Sequence, residues 1–416
     1  MDVRRGLALL ALLTAVLLVA CSDPGSGPLA ALHGGGGTTG DVLYVGTRDG
    51  VTALDVSVGT ARFRASDGVA APDWSTVFTT ETATGGRTRV EGLDPATGAA
   101  LSSYTVEAPD LVARVAARGG TVVVLGPRAP DASIPYPPGR DRTKLVVVGG
   151  EGGERAYDLR GNYEPEAFST DLSSLFVVDY TPAAAPTEYR VRRLDLHSGR
   201  VHDVFSRDKE LQEAMPGTAR TQTRSPDGRR LYTLYEVDDI GTAFIHVLDL
   251  DEQWAHCIDL PKPFGRHAGG ATALTVSPDG AHLFVTDRTG GAVADVDTAA
   301  LAVRGEARID ARPEADRAAS AIWGDTLYIG GGSRMTAVDT ASLTTRREWP
   351  ARQEVSAVQP SSDGAHLYVG LARRVAVLDS ATGRREELIT VPGDELITSL
   401  GPPGLSPERG SIQCAC

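Results

Sequence analysis

The chain has 416 residues, a formal net charge of −13 and a pI near 5.1, with 41% hydrophobic and 6% aromatic side chains. That acidity excludes nucleic acid and an anionic headgroup layer as partners held by charge, because both require a cationic face.

The first segment reads as an address. MDVRRG places Arg4 and Arg5 ahead of an apolar run from Leu7 to Val19, closed by Leu18-Val19-Ala20-Cys21. A basic start, a short apolar stretch and small residues at a cleavage point predict a signal peptide over 1–20. The run falls short of the roughly 20 apolar residues of a spanning helix. The ending LVAC resembles the lipobox of bacterial lipoproteins. That resemblance implies a lipid on Cys21 as the first mature residue, and an exported protein anchored to the outer side of the bacterial cytoplasmic membrane. An ordinary secretory signal is the alternative. Residues 21–40, rich in Gly, Ser and Pro, predict a flexible tether. Within it Gly35 to Gly40 matches G-x-G-x-x-G, but a dinucleotide site needs a strand before the motif and a helix after it. Neither is predicted.

From residue 41 to 401 the chain repeats itself. SPDGAHLFV (277–285) returns as SSDGAHLYV (361–369), 84 residues or twice 42 later, and SPDGRRLYT (225–233) is an earlier, degraded copy. A second marker, an apolar residue and Asp before a small-residue turn, recurs at 54–59, 93–98, 194–199, 248–253, 296–301, 338–343 and 378–383. A weaker copy, VVGGEGG (147–153), makes the eighth. Each unit divides into four short strands, best seen in EVSAVQP, HLYVGL, RVAVLDS and REELITV. Ser-Pro-Asp-Gly suits a type I turn between the first and second strands, and Asp-x-x-Thr-Gly turns the third into the fourth.

Eight four-stranded units of this period predict an all-β fold, a single β-propeller. The sequence resembles the YVTN/SPDG-repeat propellers of bacteria, a family with surface lipoproteins and lactonase-like enzymes among its members. The likeness is most specific at Pro226-Asp227-Gly228, Pro278-Asp279-Gly280 and Asp363-Gly364. Seven blades is usual in that family, and the irregular span 100–165 is where a seven-bladed alternative would hide. The first unit begins directly at a second strand, DVLYVGT (41–47), while ELITSLG (395–401) is a spare strand at the other end. Ring closure therefore predicts that the spare strand completes blade one and leaves no open edge.

Strand alternation puts the Ser-Pro-Asp-Gly and Asp-x-x-Thr-Gly turns on one face of the disc. The other face receives the long connections: 126–142, 179–188, 206–220, 236–241, 261–270 and 310–317. Binding concentrates on irregular loops held by a rigid scaffold, so Tyr136, Arg140, Tyr180, Glu236, Asp238, Asp239, Arg266 and His267 are the candidate ligand residues. No G-x-S-x-G elbow, H-E-x-x-H, paired C-x-x-C or P-loop is present, and no catalytic residue, cofactor or metal is assigned. Glu236, Asp238 and Asp239 carry the oxygens of a Ca²⁺ site, but no second cluster supports one. His282 and His366 occupy the same blade position and read as packing or surface residues. The expected function is a non-catalytic, monomeric binding or scaffold protein for a small molecule, glycan or envelope protein. The alternative is a lactonase-like hydrolase with acid and base residues at the channel mouth.

The tail 402–416 ends in SIQCAC. Cys257, Cys414 and Cys416 remain once Cys21 is lipidated, and an oxidising compartment favours a bridge. Cys414 and Cys416 are too close in sequence to pair well, so Cys257 is expected to bridge to one of them, strapping the tail across one face. An intermolecular disulfide and a Cys-x-Cys site for Cu(I) compete with that reading.

Overall fold

The computed structural model describes residues 40–128, 136–150, 152–208, 214–267, 269–393, 395–401 and 413–414. Cys21 with its signal and tether, residues 402–412 and Cys416 lie outside them. The strands form eight sheets, each with a set of four antiparallel strands; blade five also takes Phe205–Ser206, parallel to Trp254–Asp259, and Gln413–Cys414, and the four strands of blade one come from both ends of the chain. Eight blades is the observed number. The weak marker at 147–153 is a true blade turn, joining Arg142–Gly149 to Glu154–Arg160 with Gly149 N donating to Gly153 O at 2.7 Å.

Each sheet packs its two faces against both neighbours, so central strands need apolar side chains on both sides. His366–Leu371 and Arg374–Asp379 are buried nearly throughout, whereas the outer strand Ala302–Arg308 alternates half-buried and exposed like a one-faced strand. The core is accordingly a ring of inter-blade clusters. One of them joins Tyr368, Val375, Val377 and Ile389 of blade eight to Leu43, Val45, Leu54 and Ile397 of blade one.

The repeated turn works through a shared serine. In blade eight Ser361 Oγ donates to Asp363 Oδ1 at 2.6 Å and accepts from His366 N at 2.9 Å, while Ala365 N donates to Asp363 at 2.9 Å. Gly364 exits with φ 71°, and a Cβ there would stand 1.9 Å from Trp323 Nε1 of blade seven. Backbone and packing both demand glycine. In the companion turn Asp379 Oδ1 accepts from the amide and hydroxyl of Thr382 at 2.7 and 2.6 Å.

Ring closure uses Ile397–Gly401, two residues shorter than the predicted strand, paired antiparallel to Val42–Thr47 with Tyr44 opposite Gly401. A latch reinforces it. Buried Asp41 accepts from Ser362 N and Oγ at 3.1 and 2.6 Å and from Tyr368 Oη at 2.7 Å, fastening the first strand to blade eight.

The tail departs from expectation. Gln413–Cys414 pairs antiparallel with Thr223 and Gln222 of Thr218–Arg224, the innermost strand of blade five. Cys257 lies on Trp254–Asp259, three strands further out in that sheet. The tail pairs on the other side of Thr218–Arg224, four strand spacings from Cys257. Strands stand about 4.8 Å apart, so roughly 19 Å separates the two backbones, beyond the ~7 Å limit for a disulfide. In this arrangement Cys257 cannot bridge to Cys414, and the proposed partner Cys416 lies outside the described residues. The channel-facing edge of an innermost strand carries unpaired N–H and C=O groups, and the tail meets them here.

Candidate functional site

The face opposite the serine turns carries the sequence-predicted residues on blades three to six. Tyr136 and Tyr180 do come together, with ring centroids 6.4 Å apart in an edge-on pair. Tyr189, which sequence reasoning missed, lies 6.2 Å from Tyr136 and 5.7 Å from Tyr180. The series continues through Tyr235 and Phe244, stacked at 5.8 and 5.3 Å. The missed tyrosine sits at the start of a third strand, where nothing in the local pattern separates it from a packing residue.

Arg140 turns inward. Its Nε donates to Asn162 Oδ1 at 2.7 Å and its Nη2 to Glu164, whose other oxygen lies 2.7 Å from Arg114 Nη1. Arg114 and Glu164 stand on the innermost strands of blades three and four, so this trio stitches two blades where they meet the channel. Burial first, and then the Arg114 charge, lower the Arg140 pKa. Two residues along the same strand, Glu166 accepts from Gln222 Nε2 of blade five at 3.0 Å, and its enclosed Oε2 has no hydrogen-bond partner. Burial pushes the Glu166 carboxyl up to about 7, against the pull of Arg224 and Gln222.

The remaining candidates do not join this group. Glu236 is buried while Asp238 and Asp239 are exposed, and among the described residues no three His, Cys, Asp or Glu side chains gather as a metal site. Arg266 and His267 are exposed, with His267 beside buried Asp287, whose pKa is raised chiefly by burial.

Across the ring on the same face lies a cleft of about 1050 Å³ between blades seven, eight and one, which the sequence did not suggest. Its rim and walls include Arg317, Arg373, Arg374, Glu354, Leu396 and Ile397. Arg317 Nη1 reaches Ile397 O at 3.3 Å, and Glu354 accepts from the amides of Arg317 and Gly332 at 3.3 and 3.2 Å. Burial raises the Glu354 pKa despite those donors. Arg374 is exposed, and Leu396 is an exposed apolar side chain at 50% accessibility. The arrangement offers guanidinium groups above an apolar floor.

Two of the connections bordering the cleft are short. Leu371 passes to Arg374 through two residues, and Gly331 to Arg334 likewise, while blades three to six raise long loops around them.

No protein-family model and no curated protein matches the sequence. Among solved structures the fold is similar to apo AztD from Citrobacter koseri, with a TM-score of 0.54 at 11% identity over 86% of this chain and 97% of that one. A second Citrobacter koseri AztD structure gives 0.51 at 12% identity, over 88% of this chain and 98% of that one. Saccharomyces cerevisiae Sqt1 gives 0.50 at 11% identity over 80% of this chain and 86% of that one. At such identities the likeness is one of fold.

Proposed function

We propose that the protein is a non-catalytic binding propeller, exported and held by a lipid on Cys21, which takes a small amphipathic anion into the cleft of blades seven, eight and one. One observation carries the reading: a chain with a net charge of −13 places Arg317, Arg373 and Arg374 around a single large cleft with an apolar floor. Guanidinium groups recognise carboxylate, sulfonate and phosphate oxygens in pairs, and the apolar residues supply contact area for the rest of the ligand. The repeat's resemblance to the YVTN/SPDG propellers, with their surface lipoproteins, supports the envelope placement. The probe is 8-anilinonaphthalene-1-sulfonate, an apolar anion that fluoresces when bound. Saturable one-site binding that weakens about tenfold in Arg374→Glu is expected; equal binding by both proteins overturns the reading.

The hydrolytic alternative also has one observation in its favour, the Glu166 carboxyl poised near neutral pH beside the channel. It requires turnover of a lactone or p-nitrophenyl ester that disappears in Glu166→Gln. Hydrolysis surviving that substitution removes this carboxyl from consideration.

A further inference from the structure

Among the described residues Arg288 is the largest fully buried side chain, at 0% accessibility. It follows directly on His282–Asp287, the second strand of blade six, and its amide donates to Ala271 O at 2.8 Å. Along that strand Phe284, Thr286 and Arg288 share one face by alternation. Phe284 packs there against Leu327, Ile329 and Val338 of blade seven, so the face is the interface between blades six and seven. The Arg288 stem crosses it over Gly331 of blade seven, where an added Cβ would lie 2.4 Å from Arg288 Cγ. Glycine at 331 makes the room.

The guanidinium is only partly engaged. Nη1 donates to Asp310 O at 3.1 Å, but Nε and Nη2 have no hydrogen-bond partner, although both are enclosed. Those two nitrogens form the side-on edge with which arginine grips two oxygens at once. Nearby, Thr286 Oγ1 and Arg312 Nε are likewise enclosed without a partner. Enclosed N–H groups of a cation are among the most costly to leave unmade.

The chain's own carboxylates are engaged elsewhere. Asp310 pairs with Arg312 Nη2. Glu348 accepts from Thr336 Oγ1 at 3.1 Å, with its other oxygen 3.6 Å from Arg312 Nη2. Glu314 is exposed on the rim, beside Gly332. None of them meets the open edge of Arg288. Burial and the neighbouring Arg312 together push the Arg288 pKa down to about 10, as expected of a cation short of acceptors.

We infer that the interface of blades six and seven holds a small planar oxyanion of the carboxylate class, gripped by the Nε–Nη2 edge of Arg288 and assisted by Arg312 Nε and the Thr286 hydroxyl. The site is separate from the cleft and independent of what the cleft binds. The anion completes the hydrogen bonds of a blade-six side chain that is itself seated on blade seven.

Formate is the probe. Protein dialysed into sodium chloride is melted beside protein in sodium formate at the same ionic strength and pH. We expect a rise of about 2 °C or more in formate for the wild type and none for Arg288→Met. A crystal soaked in formate is expected to show a planar density with two oxygens at hydrogen-bond distance from Nε and Nη2. Equal melting of the wild type in both salts overturns the inference, as does a Glu314 or Glu348 carboxylate swung onto that edge. Density in the crystal without stabilisation in solution marks an adventitious additive only and overturns it too. Both wild-type measurements stand even where Arg288→Met fails to fold.

Discussion

Glu166 keeps its proton to about pH 7 in the fold, against 4.5 for a free glutamate, because the channel wall disfavours its charged form. Between those values the native state holds a proton that the unfolded chain has released. Stability from this group is therefore complete below about pH 4.5 and falls as pH rises through 7. The shift corresponds to about 3 kcal/mol at most. The difference in urea midpoint between wild type and Glu166→Gln should thus change with pH from 4.5 to 8, moving in favour of the Gln variant; a constant difference contradicts the assignment. Glu164 responds differently, because Arg114 and Arg140 both lean on it. Glu164→Gln leaves two half-buried guanidinium groups without their shared countercharge and should cost about 3 kcal/mol in chemical denaturation. Removing exposed Asp49 from its 3.1 Å pair with Arg64 should cost about 0–1 kcal/mol.

The turns and the closing strand carry predictions of their own. Gly364 and Gly85 share a left-handed backbone, φ 71° and 77°, but a Cβ at 85 meets nothing within 4 Å while one at 364 strikes Trp323. Gly85→Ala should cost about 1–2 kcal/mol from backbone strain, and Gly364→Ala about 2 kcal/mol more from overpacking. Paired melts of the two variants measure the difference. Truncation after Val391 removes the strand that pairs with Val42–Thr47 and buried Ile397 with it. An exposed strand edge invites association, so light scattering should show oligomers; a truncated chain as monodisperse and heat-stable as the intact one speaks against closure by that strand.

At the scale of the whole molecule, the propeller was legible because each blade writes its own turn chemistry into the sequence. Asp363-Gly364 and Asp379 announce their turns, and even the weak VVGGEGG segment proved to be one. Closure was legible too, since a missing strand at one end matched a spare at the other. The cleft was not, for a physical reason: loop length marks prominence, whereas Arg317 and Arg374 border a depression beside two-residue turns in neighbouring blades. The partner of Arg140 was not legible, because nothing in its own loop reveals Glu164, 24 residues on, in the channel wall. The export reading has a direct check. Cells grown with labelled palmitate should label the wild type and not Cys21→Ala; equal labelling ends the lipoprotein proposal.

The position of Val42–Thr47 has a mechanical consequence. This first strand is flanked on both sides, by Gly50–Asp55 and by Ile397–Gly401, and Asp41 at its head is fastened to blade eight. A pull arriving through the preceding chain acts along the strand, so its two ladders are loaded in shear and must break together; nothing can be peeled away bond by bond. Stretched from that end, the disc should resist force as a clamp and yield in one step.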